Sequence, residues 1–243
     1  MARTWVSKKQ IISKKSYEGE ENFSIIKINP YNKKRDKNRF YSWKFGTVNI
    51  RSGKEKLEGA KMYIIAKEAA RLNLSFCALQ EVRHRGTGNK IIELNTGEKY
   101  QFYWCGQKKR RDYGVGILVK VNPRIIITEP DFNTPRVMAI NLTMFGFKIR
   151  VIIAYSPTNV EENINKKDEF YRDLKKASES VGKNRQLVFT GDFNAETAAV
   201  LGKTEFNSTL TVEDSICNDN GQHLSLFAKL STFASHNLIS TIP

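Results

Sequence analysis

The sequence predicts an α/β fold built from two packed mixed sheets with helices on their outer faces. Three features lead to this prediction: apolar runs typical of buried strands, two stretches with apolar residues at helical spacing, and a meander of strands between about residues 102 and 155. With 243 residues and 40% apolar content, the chain can bury one sizeable core, and α/β folds of this length often form one domain.

The first unit is a strand, a helix and a second strand. Residues 45–50 form an apolar strand, and residues 76–79 form another that ends in Gln80 and Glu81. Such a unit places its strands side by side and parallel, so we expect Asn49 and Glu81 at the same end of one sheet, where open sheets usually hold ligands. The alternative, when each is taken singly, is that Asn49 is a turn residue at a strand end and that Glu81 is a solvated residue at a strand terminus. The face of the intervening helix is predicted to carry Leu57, Ala60, Ile64, Ile65, Ala69 and Leu72.

The remaining elements follow in chain order. Strands are predicted at residues 102–104, 116–119, 124–128, 137–143 and 148–155. A second amphipathic helix comes next, and a strand around Leu187 follows it. The apolar positions of that helix are Phe170, Leu174, Ala177 and Val181.

The strand around Leu187 stops at Gly191, and two polar residues follow, Asp192 and Asn194. In a near-extended continuation both would project to the same side, with Phe193 turned into the core. A phosphate-hydrolysing site can use this pair, because the carboxylate can orient or deprotonate water while the amide donates to a phosphate oxygen. The alternative is an Asx turn after a strand.

Five ordered motifs stand out along the chain: TVNIRS at 47–52, LQEVR at 79–83, GVGILV at 114–119, AYSP at 154–157 and GDFNA at 191–195. Together they resemble the endonuclease/exonuclease/phosphatase superfamily, and within it the apurinic-type endonuclease domain of non-LTR (RTE-like) retrotransposons. The resemblance covers about residues 43–239 and implies a four-layer α/β-sandwich. A looser match joins Asn220 and Gly221 to Leu224 and Phe227, followed by Asn237 and Leu238.

The resemblance implies a role for each matched residue. Glu81 would bind a divalent metal, Mg²⁺ with Mn²⁺ as the alternative, and Asn49 would support both the metal and the scissile phosphate. Asp192 would orient the attacking water, while Tyr155 and Asn194 would donate to phosphate oxygens. We expect these five side chains to converge, and we expect the crowding of Glu81 and Asp192 to raise the pKa values of both carboxyl groups.

The resemblance also implies that part of the family's site is missing. In the family an Asp in an apolar strand and a later Asp-His pair complete the site, and both follow the region matched by Asn237 and Leu238. The sequence therefore predicts a C-terminally truncated domain over residues 43–243. His236 stands too early in the order to replace the missing histidine, and neither His84 nor His223 has the required spacing.

The charge of the chain predicts a polyanionic partner. The formal charge is +15, and residues 1–40 supply +7 of it with 11 basic against 4 acidic residues. We interpret residues 1–42 as a flexible basic arm and DNA as the partner, because basic residues that neutralise phosphates release condensed counterions. No stretch has the apolar length of a membrane span, and three scattered cysteines fit a reducing intracellular compartment. We expect a nuclear location within the cell.

Two basic loops are predicted to grip DNA beside the site. Arg83 and Arg85 follow Glu81 directly, and the run from Lys108 and Lys109 to Arg110 and Arg111 precedes the GVG motif. A solvated charge run or an import signal is the alternative for the second loop. The predicted function is a Mg²⁺-dependent endonuclease that nicks DNA, as in target-primed retrotransposition. The alternatives are a catalytically defective nucleic-acid- or chromatin-binding derivative, an abasic-site repair nuclease, and another phosphoesterase of the superfamily.

Overall fold

The computed structural model describes residues 24–28, 43–51, 58–144, 146–159, 164–180, 185–195, 218–230 and 237–240. Three helices are present, α1 (Glu58–Arg71), α2 (Ile164–Glu179) and α3 (Asp219–Leu230). The strands are β1 (Ser24–Ile28), β2 (Trp43–Asn49), β3 (Phe76–Gln80), β4 (Thr87–Glu93), β5 (Lys99–Gly106), β6 (Gly114–Lys120), β7 (Ile125–Ile127), β8 (Phe132–Asn133), β9 (Val137–Met144), β10 (Phe147–Tyr155), β11 (Gln186–Asp192) and β12 (Asn237–Ser240).

The strands form two mixed sheets. The first has the order β1-β2-β3-β6-β5-β4, and the second has the order β12-β11-β10-β9-β7, with β8 also paired to β9. Each sheet contains a parallel pair joined by a helix: α1 connects β2 to β3, and α2 connects β10 to β11. The carboxyl ends of β2 and β3 therefore lie at one edge of the first sheet, and those of β10 and β11 lie at one edge of the second.

Side chains alternate between two cores along each central strand. In β3, Phe76 and Ala78 face the core between the sheets, whereas Cys77 and Leu79 pack against α1. In β11, Val188 joins the core between the sheets, while Leu187 and Phe189 pack against α2 and α3. The layers therefore run α1, first sheet, second sheet, then α2 with α3, which confirms the predicted four-layer α/β-sandwich. Strands buried on both faces explain the continuous apolar runs in the sequence.

The face that α1 buries differs from the prediction at two positions, because Ala60 and Ile64 are both exposed. Ile65 is 1% exposed, but Ile64 is 59% exposed, because adjacent residues of a helix point about 100° apart. Met62 and Ala66 fill the buried face instead. Predicted positions Leu57 and Val181 lie outside the described residues.

The N-terminal region contains a strand that was not predicted. Residues 24–28 fall within the predicted basic arm, yet they form β1, antiparallel to β2 with Ser24 opposite Thr47. These five residues therefore extend the first sheet, and residues 1–23 and 29–42 of the predicted arm lie outside the described residues. Among the residues described, no helix is both long and apolar enough to cross a membrane.

Candidate active site

Four polar side chains meet where β2, β3, β10 and β11 end, and we call Asn49, Glu81, Tyr155 and Asp192 the strand-end cluster. The amide nitrogen of Asn49 donates to Glu81 Oε1 and to Asp192 Oδ2, each at 2.9 Å. The two carboxylate oxygens therefore lie no farther apart than twice that distance. The Tyr155 hydroxyl also donates to Glu81 Oε1, at 3.1 Å. Residues separated by up to 143 positions thus share one hydrogen-bonded group.

The sheets explain this convergence. Asn49 pairs with Gln80 in the parallel register of β2 and β3, so Glu81 comes one residue beyond. Tyr155 pairs with Asp192 in the parallel register of β10 and β11. Strand β11 packs across β2 and β3, which brings the two strand ends together.

Backbone strain is concentrated at this site. Glu81 has φ 55°, Arg83 has φ 50° and Asn194 has φ 46°, all in the left-handed region that residues with a Cβ rarely adopt. Arg51, whose backbone nitrogen donates to Asn49 Oδ1 at 3.1 Å, has φ 38°. Among the described residues only one further non-glycine residue, Asn73, shares this conformation. Such strain commonly marks functional sites.

The two carboxyl groups differ in their electrostatics. Burial alone would raise the pKa of Glu81, but hydrogen bonds from Asn49, Arg83 and Tyr155 outweigh it and hold the pKa below its usual value. Burial raises the pKa of Asp192, and hydrogen bonds from Asn49 and the Asn194 backbone offset only part of that effect. The expectation that crowding raises both pKa values is therefore wrong for Glu81, because three donors stabilise its charged form.

Arg83 forms an ion pair with a member of the cluster. Its Nη2 forms a 2.7 Å ion pair with Glu81 Oε2, and the Glu81 side chain is only 13% exposed. The other predicted basic residues are exposed: Arg85 follows on the same loop, and Lys108, Lys109, Arg110 and Arg111 lie in the turn between β5 and β6. Backbone bonds from Gly86 to Gln107 and from Gly106 to Gly86 join the two loops. They form one basic rim beside Glu81, and their binding of nucleic acid stays a prediction.

Asn194 differs from the extended geometry expected of it. Phe193 is fully buried, as predicted, but the left-handed backbone of Asn194 turns the chain. The Asn194 backbone N–H donates to Asp192 Oδ1 at 3.0 Å, which is an Asx-type turn, and its carboxamide donates to the Ser156 carbonyl at 2.8 Å. Asn194 therefore lies beside Asp192, one turn outside the strand-end cluster.

Arg136 is a site residue that the sequence did not reveal. Its guanidinium carbon lies 4.0 Å from the Tyr113 ring centroid and 5.4 Å from that of Tyr155, and its Nη1 donates to the Tyr155 carbonyl at 3.1 Å. Burial lowers the pKa of Arg136, although the two tyrosines oppose that shift. The only sequence signal was an arginine directly before an apolar strand, and its place beside Tyr155 depends on the pairing of β9 with β10.

Two of the three histidines can be located. The ring of His84 packs against Phe102 and Trp104, and its Nδ1 lies 2.8 Å from the Val82 carbonyl. The ring of His223 stacks on Tyr171 and lies near Asp219. The contacts given for each histidine are with residues outside the strand-end cluster, and His236 lies outside the described residues.

The chemistry of the cluster suits a magnesium ion. Its potential ligands are the carboxylate oxygens of Glu81 and Asp192, and Mg²⁺ prefers oxygen ligands while it retains several waters. Within the described ranges, no three His, Cys, Asp or Glu side chains are grouped as a metal cage. The arrangement fits an ion held by one or two carboxylates. Asn49 Oδ1 faces the Arg51 backbone, so a ligand role for Asn49 stays a prediction.

The fold and the cluster define a protein of the phosphoesterase type, in which two sheets bring acidic and amide side chains together at their strand ends. The chain matches the endonuclease/exonuclease/phosphatase family over residues 46–209, and it belongs to that family. Members of this family are typically phosphodiester hydrolases.

Three individual proteins that the chain resembles share 30% of its residues or fewer over the matched regions. The chain is 30% identical to craniofacial development protein 2 of Bos taurus over 151 residues, which make up 62% of this chain and 24% of that protein. Among solved structures, it resembles the endonuclease domain of TRAS1, a telomere-specific non-LTR retrotransposon, with 18% identity and a TM-score of 0.47 over 77% of this chain and 70% of that one. It also resembles D. rerio TDP2 complexed with single strand DNA product, with 14% identity and a TM-score of 0.43 over 63% and 60% of the two chains.

Proposed function

We propose that the chain is a Mg²⁺-dependent endonuclease that nicks DNA, of the kind that primes retrotransposition at its target. The observation that carries this proposal is the strand-end cluster, where Asn49 bridges the carboxylates of Glu81 and Asp192 and Tyr155 donates to Glu81. The retrotransposon setting is supported by the sequences of the five motifs, which resemble those of apurinic-type endonuclease domains.

Asp192 is suited to handle the attacking water. Because burial raises the pKa of this carboxyl group, it is a stronger base than an exposed aspartate. Its Oδ1 and Oδ2 already accept bonds from the Asn194 backbone and from Asn49, which fix the plane of the carboxylate. Asp192 would accept the proton that water loses as its oxygen attacks the phosphorus; the bond from phosphorus to the 3′ oxygen breaks, and that oxygen leaves as a hydroxyl after it takes a proton from solvent.

The other polar groups are suited to the phosphate. Tyr155 carries a hydroxyl donor, and burial followed by the charge of Glu81 raises its pKa, so the hydroxyl keeps its proton at neutral pH. Asn49 and Asn194 carry uncharged amide donors, and a bound phosphate would compete with Glu81, Asp192 and the Ser156 carbonyl for them. A donor aimed at a developing oxyanion contributes about 3 kcal/mol to a transition state. When bound beside Glu81, Mg²⁺ supplies neutralisation of phosphate charge.

The charge of the molecule favours a nucleic-acid substrate. The net charge of +15 attracts polyanions, and the basic rim formed by Arg83, Arg85 and residues 108–111 includes Arg83, which pairs with Glu81. A long phosphodiester could contact this rim while one phosphate occupies the cluster. We further propose a nuclear location, which imaging of a fluorescent fusion would test.

Supercoiled plasmid provides the test of the proposed function. With Mg²⁺ the protein should convert it to open circles, EDTA should stop the reaction, and Asp192→Asn should slow it to a small residual rate. A DNA polymerase should extend the nicks if they carry 3′ hydroxyls. Ile64→Ser is a matched control, because Ile64 is exposed on α1, away from the cluster.

The same assay separates the alternative functions. Salt-sensitive DNA binding without any nicking would replace the proposal with a binding protein that does not cut. A strong preference for an oligonucleotide with an abasic site over intact DNA would indicate a repair nuclease. Hydrolysis of a small phosphodiester with no action on DNA would indicate another phosphoesterase of the family.

A further inference from the structure

One backbone carbonyl beside the strand-end cluster is held by three side-chain amides. The carbonyl oxygen of Asn194 accepts bonds from Asn159 Nδ2 at 2.9 Å, from Asn218 Nδ2 at 3.2 Å and from Asn220 Nδ2 at 3.2 Å. We call Asn159, Asn218 and Asn220 the amide clamp. A carbonyl oxygen has two lone pairs, so three converging donors fix its position more tightly than satisfying the acceptor requires.

The clamp is built into the layer of helices. The Asn218 side chain caps α3, because its Oδ1 accepts a bond from the Gly221 backbone at 2.8 Å. Asn159 Oδ1 accepts bonds from the Asn220 backbone and from Lys167 Nζ, each at 3.1 Å. Lys167, which belongs to α2, also pairs with Asp219. The clamp therefore ties the turn after β10 to both helices.

Asn220 is the central member of the clamp. It is fully buried, and its Nδ2 donates to the Pro157 carbonyl at 2.7 Å as well as to the Asn194 carbonyl. Its Oδ1 is buried with no hydrogen-bond partner among the described residues. An unsatisfied buried acceptor is unfavourable, so the role of this carboxamide lies in its two donated bonds.

Those bonds act on the part of the chain that carries Asp192. Asn194 adopts its left-handed φ of 46° here, its backbone N–H donates to Asp192 Oδ1, and its carboxamide donates to the Ser156 carbonyl. The Ser156 N–H returns a 2.9 Å bond to the Asp192 carbonyl. The clamp thus holds the residue that orients the Asp192 carboxylate.

We propose that Asn220 is a positioning residue for the reaction, which fixes Asn194 and through it the Asp192 carboxylate. This inference rests on the proposed nuclease function. Asn220 contacts the Asn194 and Pro157 carbonyls rather than any member of the strand-end cluster. Its removal should therefore disturb the geometry of the reacting groups and leave the basic rim intact.

The test compares Asn220→Ala with Leu224→Ala. Leu224 is a buried residue of the same helix, 3% exposed, and packs in the core under α2 and α3, so its truncation loosens α3 without removing a clamp donor. At a temperature where both variants are folded, Asn220→Ala should nick saturating DNA 10- to 100-fold more slowly than wild type with its DNA Kd within twofold. Leu224→Ala should nick within threefold of wild type.

A further readout separates positioning from general loosening. Hydrogen exchange at the Asn194 amide should be at least tenfold faster in Asn220→Ala and unchanged in Leu224→Ala. If wild type does not nick at all, the proposed function fails, while the exchange measurement still decides whether Asn220 orders Asn194. Equal nicking and equal exchange in the two single variants would overturn the inference.

Discussion

Replacement of Asn49 by aspartate places a third carboxylate between Glu81 and Asp192. The side chains have nearly the same shape, but the two 2.9 Å donated bonds become two contacts between carboxylates. At an effective dielectric constant of 20, two unit charges 4 Å apart repel by about 4 kcal/mol. The new carboxyl group can avoid that repulsion by taking up a proton, so the cost of protonation sets the upper limit on the destabilisation that the added charge causes.

That limit depends on pH in a defined way. An unperturbed aspartate has a pKa of about 3.9, and each unit of pKa corresponds to about 1.36 kcal/mol. The folded-state pKa of the new carboxyl group is raised, so its penalty is absent below the unfolded pKa and grows as pH rises toward the folded pKa. The added charge in Asn49→Asp should therefore cost up to about 1.5 kcal/mol at pH 5 and up to about 4 kcal/mol at pH 7, beyond the loss of the donated bonds that Asn49→Ala shares.

Urea unfolding followed by tryptophan fluorescence between pH 5 and 8 measures this difference. Asn49→Ala is the control, since it removes the same donors and adds no charge. Each hydrogen bond to a charged group that it loses contributes roughly 1.5 to 3 kcal/mol to stability. Its loss should vary less with pH, and Mg²⁺ should stabilise Asn49→Asp more than wild type. Equal stability of the two variants at every pH would show that position 49 does not lie between two carboxylates.

Three other predictions concern the strand pairing, the Glu81 carboxylate and the basic rim. In Gly191→Ala the new Cβ would lie 1.9 Å from the Ala154 carbonyl oxygen at a φ of 149°, so urea unfolding should show a loss of about 3 kcal/mol or more; wild-type stability would contradict the pairing of β10 with β11. The pKa of Glu81 is lowered in the folded state, so the stabilisation by its charge is present above its unfolded pKa of about 4.3 and is lost as pH falls through the folded pKa. The free energy of unfolding should therefore fall less steeply on the acid side in Glu81→Gln than in wild type. An unchanged slope would refute this. Neutralisation of residues 108–111 should reduce the slope of log Kd against log salt by up to about 3.6 in anisotropy titrations, whereas an equal change on α2 should leave it nearly unaltered; equal effects would remove the rim from the interface. The exposed α2 residues for that control are Lys166, Arg172, Lys175 and Lys176.

Parts of the site followed from the sequence because parallel pairing is a strong constraint. Two apolar strands joined by a helix lie parallel, so their polar terminal residues come to the same sheet end, and Asn49 indeed donates to Glu81. Asp192 joined them because β11 packs across β2 and β3 in the predicted sandwich. The superfamily and the fold class were both recognised correctly from these elements and the order of the motifs.

Other parts depended on contacts that periodicity does not encode. Strand β4 is a mostly exposed edge strand, so it lacks the apolar run that reveals a buried strand. Arg136 reaches Tyr155 through the register of β9 and β10, and Asn220 reaches Asn194 across 26 positions. The pKa of Glu81 is lowered by donors from three different segments, and only the folded structure brings those donors together.

A double-mutant cycle on nicking tests the central claim most directly, namely that Glu81 and Asp192 work in one catalytic site. Single-turnover rates would be measured for wild type, Glu81→Gln, Asp192→Asn and the double variant on the same supercoiled plasmid with Mg²⁺. Residues that act as a unit show strongly non-additive losses, so the double variant should nick no more slowly than the slower single variant. Losses that multiply in the double variant, or single variants that nick at the wild-type rate, would contradict a shared site.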